Sequence, residues 1–505
     1  MFGGQTAVID SHALYTWNEF AQRVAKAADV LHSLGVGPGQ RFGIVSHNSY
    51  RNAELMQAGY WSGAVPVPVN YRLAPPEMAF ILSNAQCRLL VIEEDFISLL
   101  QSAELNSWSD KTLLLPATLN TGSSSHYESL LDAATAAPMF ENHEDDDAVI
   151  IYTGGTTGRP KGVRLSHRNI ATNALQLGWA FRPRDDDVYL HVAPMFHSAE
   201  FLSNPFFVSG AAQVYLPKFS ACNVLQTIQD HGVTCTLLTP TMIIMMLQQA
   251  SFDSYDISSL RQIIYGSAPM AAQWIRKAMQ RFAGVEFIQS YGLTETAPIL
   301  TTLGMDEHQL AVETGELRPL HSVGRQLPGV DLKIVDINGN EATCGEAGEV
   351  VVRAPNVAKG YLNRPDATAE AFRDGWFFTG DIGRLDERGY LYLLDRKKDL
   401  IITGSELVFS LEVESVLYQH PKVYECAVVG IPDETYGETL LAAVVPKPGE
   451  TLTKEELIEF CRGKIGGYKI PRHYEFLEEL PKSAMNKVLK VELRRKYGGQ
   501  FLDQS

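Results

Sequence analysis

The chain has 505 residues, of which 45% are hydrophobic and 20% are charged. This composition excludes a disordered or low-complexity protein, and the length predicts roughly two to four domains. With 43 basic against 59 acidic residues, the formal net charge is -16. So acidic a chain is a poor general binder of nucleic acid or anionic membranes, and an anionic ligand would need a local basic or backbone-amide site.

The six cysteines are scattered along the chain without a CxxC pair, which argues against a metal site or a disulfide scaffold. We expect them to be small buried side chains in a reducing cytoplasm. The first ten residues lack the basic and apolar regions of a signal peptide. The sequence contains no run of about 18 apolar residues and so predicts no membrane span. Together these features predict a cytoplasmic protein.

Thr16 and Glu19 form a predicted capping box at the start of the first helix. Apolar residues then recur at helical spacing as far as Leu34, and Gly35 can end the helix. Further along, strand-like apolar runs alternate with helical segments, which predicts parallel α/β layers. The runs are Phe42–Ser46, Val65–Val69, Leu89–Glu93, Ala148–Tyr152, Val188–Val192, Thr236–Leu238 and Val285–Ile288.

The pattern changes after about residue 320, where strand-like runs separated by glycine-rich turns predict a β-rich section. These runs are Asp331–Asp336, Gly348–Arg353 and Tyr390–Leu394. Mixed α and β patterns return after Arg396, and the remaining stretch is long enough for a small domain. We therefore predict an N-terminal domain over 1–395 with its β-rich section at 320–395, a joint at 396–398, and a C-terminal domain over 399–505.

Residues 148–162 run from an apolar strand into a loop rich in glycine and threonine that contains Lys161. Glycines let successive backbone amides point at one anion, while hydroxyls and a lysine add donors and charge. The loop is not a Walker A loop, because that motif has Gly-Lys-Ser/Thr opening a helix, and here Pro160 precedes the lysine. The pattern favours a triphosphate cradle over an ordinary glycine-rich turn.

Five segments in order resemble one known family. They are YTGGTTGRPKG at 152–162, PMFHSAEF at 194–201, YGLTET at 291–296, GWFFTGDIGRLDERGYLYLLDRKKDLI at 375–401 and PKSAMNKVLKVELR at 481–494. They are similar to the signature motifs of the adenylate-forming (ANL) superfamily, the AMP-dependent synthetases and ligases that include acyl-CoA synthetases, non-ribosomal adenylation domains and beetle luciferases. The resemblance implies an α/β fold with a large N-terminal domain of packed sheets, a small β-barrel section, and a small mobile α+β C-terminal domain.

The resemblance implies a two-step reaction. A carboxylate attacks the α-phosphate of ATP to give an acyl-adenylate and pyrophosphate, and the thiol of coenzyme A then displaces AMP to give acyl-CoA. The first step brings anions together, so it depends on alignment and charge neutralisation. The implied catalytic residues are Lys487 as the adenylation lysine, Thr294 as a donor to the α-phosphate, Glu295 as the Mg²⁺ ligand, and His197 as a gate to the acyl tunnel.

The same resemblance implies an ATP site drawn from several segments. Asp381 and Arg396 would hold the ribose, and Tyr291 would stack on adenine. The other implied ATP-binding residues are Thr153, Gly154, Gly155, Thr156, Thr157, Gly158, Lys161, Gly266, Ser267, Ala268, Gln289, Ser290 and Gly292. Read one at a time, most of these residues are more typical of ordinary turns, and their ordered combination favours the site.

For the second step, the resemblance places a hinge at Lys398, about which the C-terminal domain would turn. The residues implied for coenzyme A are Arg72, Gly404, Tyr436, Tyr468 and Arg472. The chain departs from the family pattern at four positions. Gly154 replaces a serine of the phosphate loop, while Ser405, Leu407 and Ser410 replace a glycine, an asparagine and a proline.

The implied acyl pocket has mostly apolar or aromatic surroundings, which favours a medium- or long-chain fatty acid or an aryl acid. Its expected residues are His197, Ser198, Glu200, Tyr265, Gly292, Ala297 and Ile299. Glu200 is the exception, and either solvent or a polar group of the substrate could face it. Amino-acid-activating relatives keep an aspartate at the position of His197, so an α-amino acid is disfavoured.

Three functions follow. The first is an ATP-dependent acid–CoA ligase, whose partners are a small carboxylic acid, ATP, Mg²⁺ and coenzyme A. The second keeps the adenylate chemistry and loads a separate acyl-carrier protein. The third is a non-catalytic nucleotide- or acyl-binding relative, against which the joint presence of Lys161, Glu295, Asp381, Arg396 and Lys487 argues. Nucleic acid is excluded as a partner, and a homodimer stays an open alternative.

Overall fold

The computed structural model describes residues 2–10, 13–118, 126–154, 160–316, 318–404, 406–482 and 488–498. The chain divides into two compact units by its contacts. The first comprises Met1–Met270, Trp274–Asp331 and Arg353–Phe377, and the second comprises Ala271–Gln273, Leu332–Val352 and Phe378–Ser505. Helices and sheets mix in both units, which confirms the predicted α/β class. The domain boundaries at 395 and 399 stay a prediction.

The first helix begins as predicted. The Thr16 side chain accepts from the Glu19 amide, and the Glu19 carboxylate accepts from the Thr16 amide at 2.8 Å. Gly35 follows the helix with a φ of 80°. The described helices are Trp17–Ser33, Tyr50–Ser62, Pro75–Asn84, His126–Ala133, His167–Phe181, Asn204–Val208, Ala221–His231, Pro240–Leu247, Ala272–Arg281, Met305–Thr314, Pro365–Ala371, Ser410–Leu417, Lys454–Cys461 and Lys490–Tyr497. Among them, none is both long and apolar enough to cross a membrane.

The largest sheet of the first unit has nine strands within the described residues. Its order is Arg325–Gln326, Thr301–Leu303, Glu286–Tyr291, Gln262–Gly266, Cys235–Leu238, Val188–His191, Ala212–Tyr215, Thr6–Asp10 and Ala13–Thr16. The central strands pair in parallel, as predicted, and the strands at both ends pair antiparallel. The carboxyl ends of its central parallel strands therefore lie along one edge, where sites usually form in such sheets.

Two smaller sheets complete the first unit. The parallel one has the order Val65–Pro68, Arg41–Val45, Leu89–Glu93 and Thr112–Leu115. The other has the order Gly360–Tyr361, Lys161–Ser166 and Asp147–Thr153, and all its pairs are antiparallel. The prediction that Ala148–Tyr152 belongs to a parallel layer was therefore wrong. Only seven residues separate the strand Asp147–Thr153 from the strand Lys161–Ser166, too few for the crossover that parallel strands need, and the two strands pair antiparallel.

The predicted β-rich section forms a sheet in the order Asp331–Val335, Gly348–Arg353, Trp376–Leu385 and Phe372–Arg373, with Leu391–Arg396 also paired to Trp376–Leu385. Further along the second unit, a sheet has the order Glu406–Val408, Ile401–Thr403, Gly437–Pro446 and Val423–Asp433, with His473–Phe476 on Gly437–Pro446. Alternation along the long strands separates two small cores. Val428 packs with Val413 on one face, whereas Val429 packs with Leu493 on the other.

Candidate functional site

The phosphate-loop hairpin places its two ends side by side. Thr153 ends one strand directly opposite Lys161, which begins the next. No described heavy atom lies within 4 Å of the place where a Cβ on Gly154 would stand. The described residues therefore leave room for the serine that the family usually has there. Gly155, Thr156, Thr157 and Gly158 lie outside the described residues.

Tyr361 connects the phosphate-loop lysine to the predicted metal ligand. Its short strand pairs with the strand that begins at Lys161, and its hydroxyl donates to Glu295 Oε1 at 2.8 Å. The Lys161 ammonium lies 4.8 Å from the centre of the Tyr361 ring, a favourable cation–π distance. Burial and the Glu295 carboxylate raise the pKa of Tyr361 above its usual range, so the hydroxyl remains a donor.

Glu295 lies in a short 3₁₀ turn, Thr294–Thr296, that follows the strand Glu286–Tyr291. The Glu295 carbonyl accepts from the Ala358 amide at 2.8 Å, which fixes the turn against the segment that leads to Tyr361. Within the same turn, the Thr294 hydroxyl lies 2.9 Å from the Ser198 hydroxyl. The predicted α-phosphate donor and the predicted acyl segment therefore meet.

Close backbone contacts define the predicted adenine region. Gly266 lies beside Ser290 in the parallel pairing, and a Cβ on Gly266 would stand 2.3 Å from the Ser290 carbonyl oxygen. A Cβ on Gly292 would stand 1.9 Å from the Pro298 carbonyl oxygen. Neither position has room for a side chain. Ser267 follows with a φ of 68°, so the chain turns sharply there at the end of its strand.

The other residues expected at the nucleotide lie close by. Gln289, Ser290 and Tyr291 form the last residues of the strand Glu286–Tyr291, and all three are buried. Ala268 follows Ser267 at the end of the neighbouring strand Gln262–Gly266. The structure therefore brings these predicted residues to the carboxyl ends of two adjacent parallel strands, as strand-end sites require.

The side chain of the predicted gate, His197, is held by a backbone amide two residues further along the chain. Its Nδ1 accepts from the Ala199 amide at 3.1 Å, so the neutral imidazole carries its proton on Nε2. Asn48, which follows the strand Arg41–Val45 of the parallel sheet, holds the same segment. The Asn48 amide donates to the Ala193 carbonyl at 2.9 Å and its oxygen accepts from the Met195 amide at 2.9 Å.

Glu200 has a partner that the sequence did not suggest. Its carboxylate lies 2.8 Å from His191 Nδ1, and the Glu200 side chain is only 12% exposed. His191 Nε2 lies 2.8 Å from Oε1 of the Gln213 side chain, and Nε2 of the same side chain donates to the Ala211 carbonyl. Because Gln213 thus presents an acceptor, His191 Nε2 carries a proton, while His191 Nδ1 faces the Glu200 carboxylate. Neither solvent nor a substrate is needed to satisfy this carboxylate.

Tyr265 is completely buried, and its hydroxyl lies 2.8 Å from His308 Nε2. His308 Nδ1 donates to the Gly304 carbonyl at 2.6 Å, so Nε2 accepts from the tyrosine. Burial lowers the pKa of His308 to about 4. The pair is therefore neutral and supports the strand that ends at Gly266.

Two buried asparagines hold the predicted acyl-pocket residues that follow Glu295. The Asn356 amide donates to the carbonyls of Thr296 and Ile299, at 2.6 and 3.1 Å. The Asn173 amide also donates to Ile299, at 2.9 Å. Ala297 and Ile299 are themselves buried. Their backbone is consequently fixed from two sides.

In the second unit, strand pairing places Asp381 directly opposite Arg396. Arg396 Nε lies 2.6 Å from Asp381 Oδ1, and Asp381 is buried whereas Arg396 is largely exposed. The two residues predicted to hold the ribose are therefore adjacent. Lys398 lies just beyond, exposed in the short turn Lys397–Asp399.

Three of the residues expected to bind coenzyme A come together. The Gly404 amide donates to the Tyr436 carbonyl at 2.9 Å, and the Arg472 guanidinium lies 3.8 Å from the centre of the Tyr436 ring. Tyr468 lies instead beside Lys469, its ring 5.6 Å from that ammonium. Arg72, in the first unit, is exposed next to the Tyr71 ring.

Lys487 and Ser405 lie outside the described residues. Leu407 is exposed in the strand Glu406–Val408, and Ser410 begins the helix Ser410–Leu417. The residues on either side of the segment 483–487 are described, since Lys482 pairs with Val488 in an isolated antiparallel bridge.

Sequence patterns missed the residues that hold the site together. Tyr361, Asn48 and Asn356 each contact residues far away along the chain, and no local spacing marks them. The one usable signal was the polar side chain of the two asparagines, because an asparagine that is buried nearly always has hydrogen-bond partners.

Comparison with known proteins agrees with this geometry. The sequence model of the AMP-binding enzyme family matches residues 1–362, and that of the AMP-binding enzyme C-terminal domain matches residues 412–487. A feruloyl-CoA synthase from Amycolatopsis sp is 35% identical, over 98% of this chain and 96% of the relative. The long-chain-fatty-acid–CoA ligase FadD13 of Mycobacterium tuberculosis is 35% identical, over 94% and 91%. The ATP-bound crystal structure of MatB from Rhodopseudomonas palustris superposes with a TM-score of 0.89, at 30% identity over 99% and 97%.

The chain belongs to the AMP-binding enzyme family, the adenylate-forming superfamily that its motifs resemble. Several of its full-length relatives are CoA ligases, which confirms the expected enzyme class, an AMP-forming acyl-CoA synthetase, although a fatty acid–acyl-carrier-protein ligase from Streptomyces coeruleorubidus is also 32% identical over 98% of this chain and 93% of the relative. Enzymes of this class use ATP and coenzyme A, so both substrates expected from the sequence are supported.

Proposed function

We propose that this protein converts a carboxylic acid with a fatty or aryl body into its CoA thioester, through an acyl-adenylate, with release of pyrophosphate and AMP. One observation supports this proposal above the others. The Ser198 and Thr294 hydroxyls lie 2.9 Å apart, so the predicted acyl segment and the predicted α-phosphate donor converge. The attacking carboxylate and the α-phosphate must meet in the same way during adenylation.

The side chains of the first unit would carry the electrostatic part of the first step. Lys161 would add a positive charge beside the β and γ phosphates, while Thr294 would donate to the α-phosphate. Tyr361 holds both regions, because its ring lies under Lys161 and its hydroxyl holds Glu295. Groups placed in advance in this way need no reorganisation as charge builds up in the transition state.

Glu295 fits the role of a Mg²⁺ ligand. Mg²⁺ prefers carboxylate and phosphate oxygens, and the Tyr361 hydroxyl fixes one Glu295 oxygen at 2.8 Å. When bound, the ion would neutralise phosphate charge. Lys161, whose ammonium lies 4.8 Å from the centre of the Tyr361 ring, would bind the same phosphates from the hairpin.

The second unit would bind the ribose and supply the moving parts. Asp381 accepts hydrogen bonds from hydroxyls as readily as from the Arg396 guanidinium that it already holds. Lys487 would bring its ammonium to the reacting carboxylate and α-phosphate, and a turn at Lys398 would then exchange the lysine for the thiol. The patch of Gly404, Tyr436 and Arg472 offers an aromatic ring and a cation to coenzyme A.

The acid itself would be largely apolar. Ile299 and Ala297 are buried beside the site, and the Glu200 charge is already paired with His191. An unpaired charge that would bind a cationic substrate is therefore absent from the described acyl segment at 194–201. The two curated relatives, whose names specify a feruloyl and a long-chain fatty acyl product, are consistent with an acid of this kind.

Product analysis tests the proposal. Purified enzyme is incubated with ATP, Mg²⁺ and coenzyme A together with a panel of aryl, medium-chain, long-chain and α-amino acids. We expect AMP, pyrophosphate and an acyl-CoA with at least one aryl or fatty acid. Formation of ADP and phosphate would refute the mechanism. Transfer to a carrier protein, with no product on coenzyme A, would refute the proposed acceptor.

A further inference from the structure

The described residues on either side of the segment 483–487 contact each other. Lys482 pairs with Val488, and the Leu489 amide donates to the Pro481 carbonyl at 2.8 Å. The helix Lys490–Tyr497 begins immediately afterwards. Val488 and Leu489, which directly follow the segment 483–487, are therefore held beside Pro481 and Lys482 and lead straight into this helix.

Lys490, the first residue of that helix, is held by a buried polar network. Its ammonium lies 2.7 Å from Glu414 Oε1 and donates to Ser410 Oγ at 2.5 Å. Burial alone would lower the pKa of Lys490, but the Glu414 and Asp395 carboxylates raise it above the usual value. The lysine therefore stays charged, and its contacts are charge-assisted hydrogen bonds.

Ser410 extends the network to the strand that carries the ribose-binding arginine. Its amide donates to Asp395 Oδ2, and Asp395 Oδ1 accepts from the Arg396 amide at 2.7 Å. A continuous path therefore runs from Lys490 through Ser410 to Asp395, the residue immediately before Arg396. Ser410 is completely buried, so water does not compete for these bonds.

Ser410 is also one of the positions at which the chain departs from the family pattern, which has proline there. Proline has neither an amide hydrogen nor a hydroxyl. It could make neither the contact to Asp395 nor the contact to Lys490. The serine therefore adds two hydrogen bonds that the usual residue cannot supply.

A second ion pair lies one turn further along the same helix. Arg494 donates to the Asp399 carboxylate at 2.6 Å. Residues four apart face the same side of a helix, so Lys490 and Arg494 share one face. The C-terminal helix is thus attached by an ion pair to Asp399, just after the predicted hinge at Lys398, and through Ser410 to Asp395, just before it.

We propose that Ser410 and Lys490 are positioning residues for the adenylation step. They fix the chain that directly follows Lys487 to the strand that ends in Arg396, although neither touches the substrate. The inference rests on the proposed function, in which Lys487 serves the first step alone. A small displacement of a charged group in a reacting centre costs a large factor in rate, so loosening this attachment lowers adenylation more than thioester formation.

Ser410→Pro is the sharpest test, because it restores the family residue and removes both hydrogen bonds at once. Ser410 is the first residue of its helix, where proline is well tolerated, and Phe409 before it has the extended backbone that proline requires. Pyrophosphate release is measured with the best acid of the product assay. Thioester formation is measured separately from supplied acyl-adenylate and coenzyme A.

We expect pyrophosphate release to fall about tenfold, in line with the loss of hydrogen bonds to charged groups. Thioester formation from the supplied adenylate should remain within about twofold of the wild-type rate, because Lys487 is not needed there. Equal losses in both half-reactions would mean that Ser410 has a merely structural role. Unchanged pyrophosphate release would overturn the inference outright.

A second variant tests the same inference in a way that does not depend on whether Ser410→Pro folds correctly. Lys490→Met combined with Glu414→Gln removes the lysine charge together with its ion-pair partner, while the Asp395 carboxylate keeps its hydrogen bonds from the Ser410 and Arg396 amides. It should show the same preferential loss of pyrophosphate release. Ser415→Ala, on the same helix as Ser410, and Arg495→Ala, on the same helix as Lys490, alter exposed side chains and should change neither half-reaction. A loss in these controls as large as that in the test variants would overturn the inference.

Lys487→Ala runs alongside as the reference. If that variant keeps normal pyrophosphate release, the proposed function of Lys487 is wrong. If it loses adenylation while Ser410→Pro and the double variant do not, only the positioning role is wrong. The two failures are therefore distinguishable.

Discussion

The functional side chains of the first unit and those of the second are held by different kinds of contact. In the first unit, strand register and buried hydrogen bonds fix the site, as where Gly266 abuts the Ser290 carbonyl. In the second unit, ion pairs do most of this work, as between Arg396 and Asp381 or Lys490 and Glu414. Backbone register cannot shift by small steps, whereas ion pairs can be exchanged. The two sites should therefore respond to different kinds of substitution.

The largest effect should come from the lysine of the second unit. We expect Lys487→Ala to reduce pyrophosphate release at least about a hundredfold, the usual effect of removing a charge-stabilising donor from a reacting centre. Conversion of supplied acyl-adenylate to thioester should continue. Single-turnover assays of the two half-reactions measure both rates. Equal loss of both would contradict a division of labour in which this lysine serves one step.

The next prediction concerns how much the buried Tyr265–His308 pair of the first unit contributes to the free energy of unfolding. His308 has a folded-state pKa of about 4, below its unfolded value of about 6.5. The unfolded chain therefore binds the extra proton first, and the free energy of unfolding should fall as the pH drops from about 6.5 to about 4, by at most about 3 kcal/mol. Above that window the contribution is fully present.

Urea denaturation at a series of pH values, compared between the wild type and His308→Gln, measures this effect. The glutamine keeps hydrogen-bonding capacity but cannot titrate, so the wild-type curve should lose more stability with acid. Parallel pH dependence in the two proteins would show that His308 is not the titrating group.

A smaller effect should follow from loosening the link between Lys161 and Glu295. Tyr361→Phe keeps the ring under the lysine but removes the hydroxyl from the carboxylate. We expect pyrophosphate release at limiting Mg²⁺ to fall about tenfold, with partial recovery at high Mg²⁺. Titration with Mg²⁺ at fixed ATP gives the apparent requirement.

Tyr152→Phe is the matched control for that substitution. Tyr152 lies in the same small sheet, but its hydroxyl donates to Asn84 rather than to Glu295. Its Mg²⁺ requirement should stay at the wild-type value. If both tyrosine variants needed more Mg²⁺, the Glu295 contact would not be the cause.

The smallest effect is expected at Gly154. Because the described surroundings leave room for a Cβ, Gly154→Ser should fold normally and add one hydroxyl donor to the phosphate loop. We expect the KM for ATP to fall about twofold, as one neutral hydrogen bond would allow. Initial rates at varied ATP measure this change, and a raised KM would show that the open space serves another purpose.

Local patterns predicted much of the fold. Leu89–Glu93 and Gly348–Arg353 were predicted with the ends that the structure has, because each is an apolar run between turn-forming residues. The first helix also begins where its capping box predicts. The pairing of Asp147–Thr153 was not predictable in this way, since its continuous apolar run indicates a strand buried on both faces without fixing the direction of its partner.

The sequence predicted the motif residues of the site, but not the residues that hold them in place. Lys161 and Glu295 stand in recognisable motifs, but Tyr361 contacts Glu295 from 66 residues away. Glu200 was left open between solvent and substrate, because nothing local shows that His191 lies beside it. Side-chain partners of this kind are set by tertiary packing, which short spacing rules do not describe.

Asn48 has a practical consequence for anyone who wishes to redirect the enzyme toward other acids. Its single side chain grips the backbone on both sides of Pro194, at the carbonyl of Ala193 and the amide of Met195. Libraries of variants aimed at the acyl segment can therefore exchange side chains at Ser198 while the loop keeps its course. A library that also randomises Asn48 would let the loop itself drift, and most of its members would be lost to misplacement rather than to a changed preference for acids.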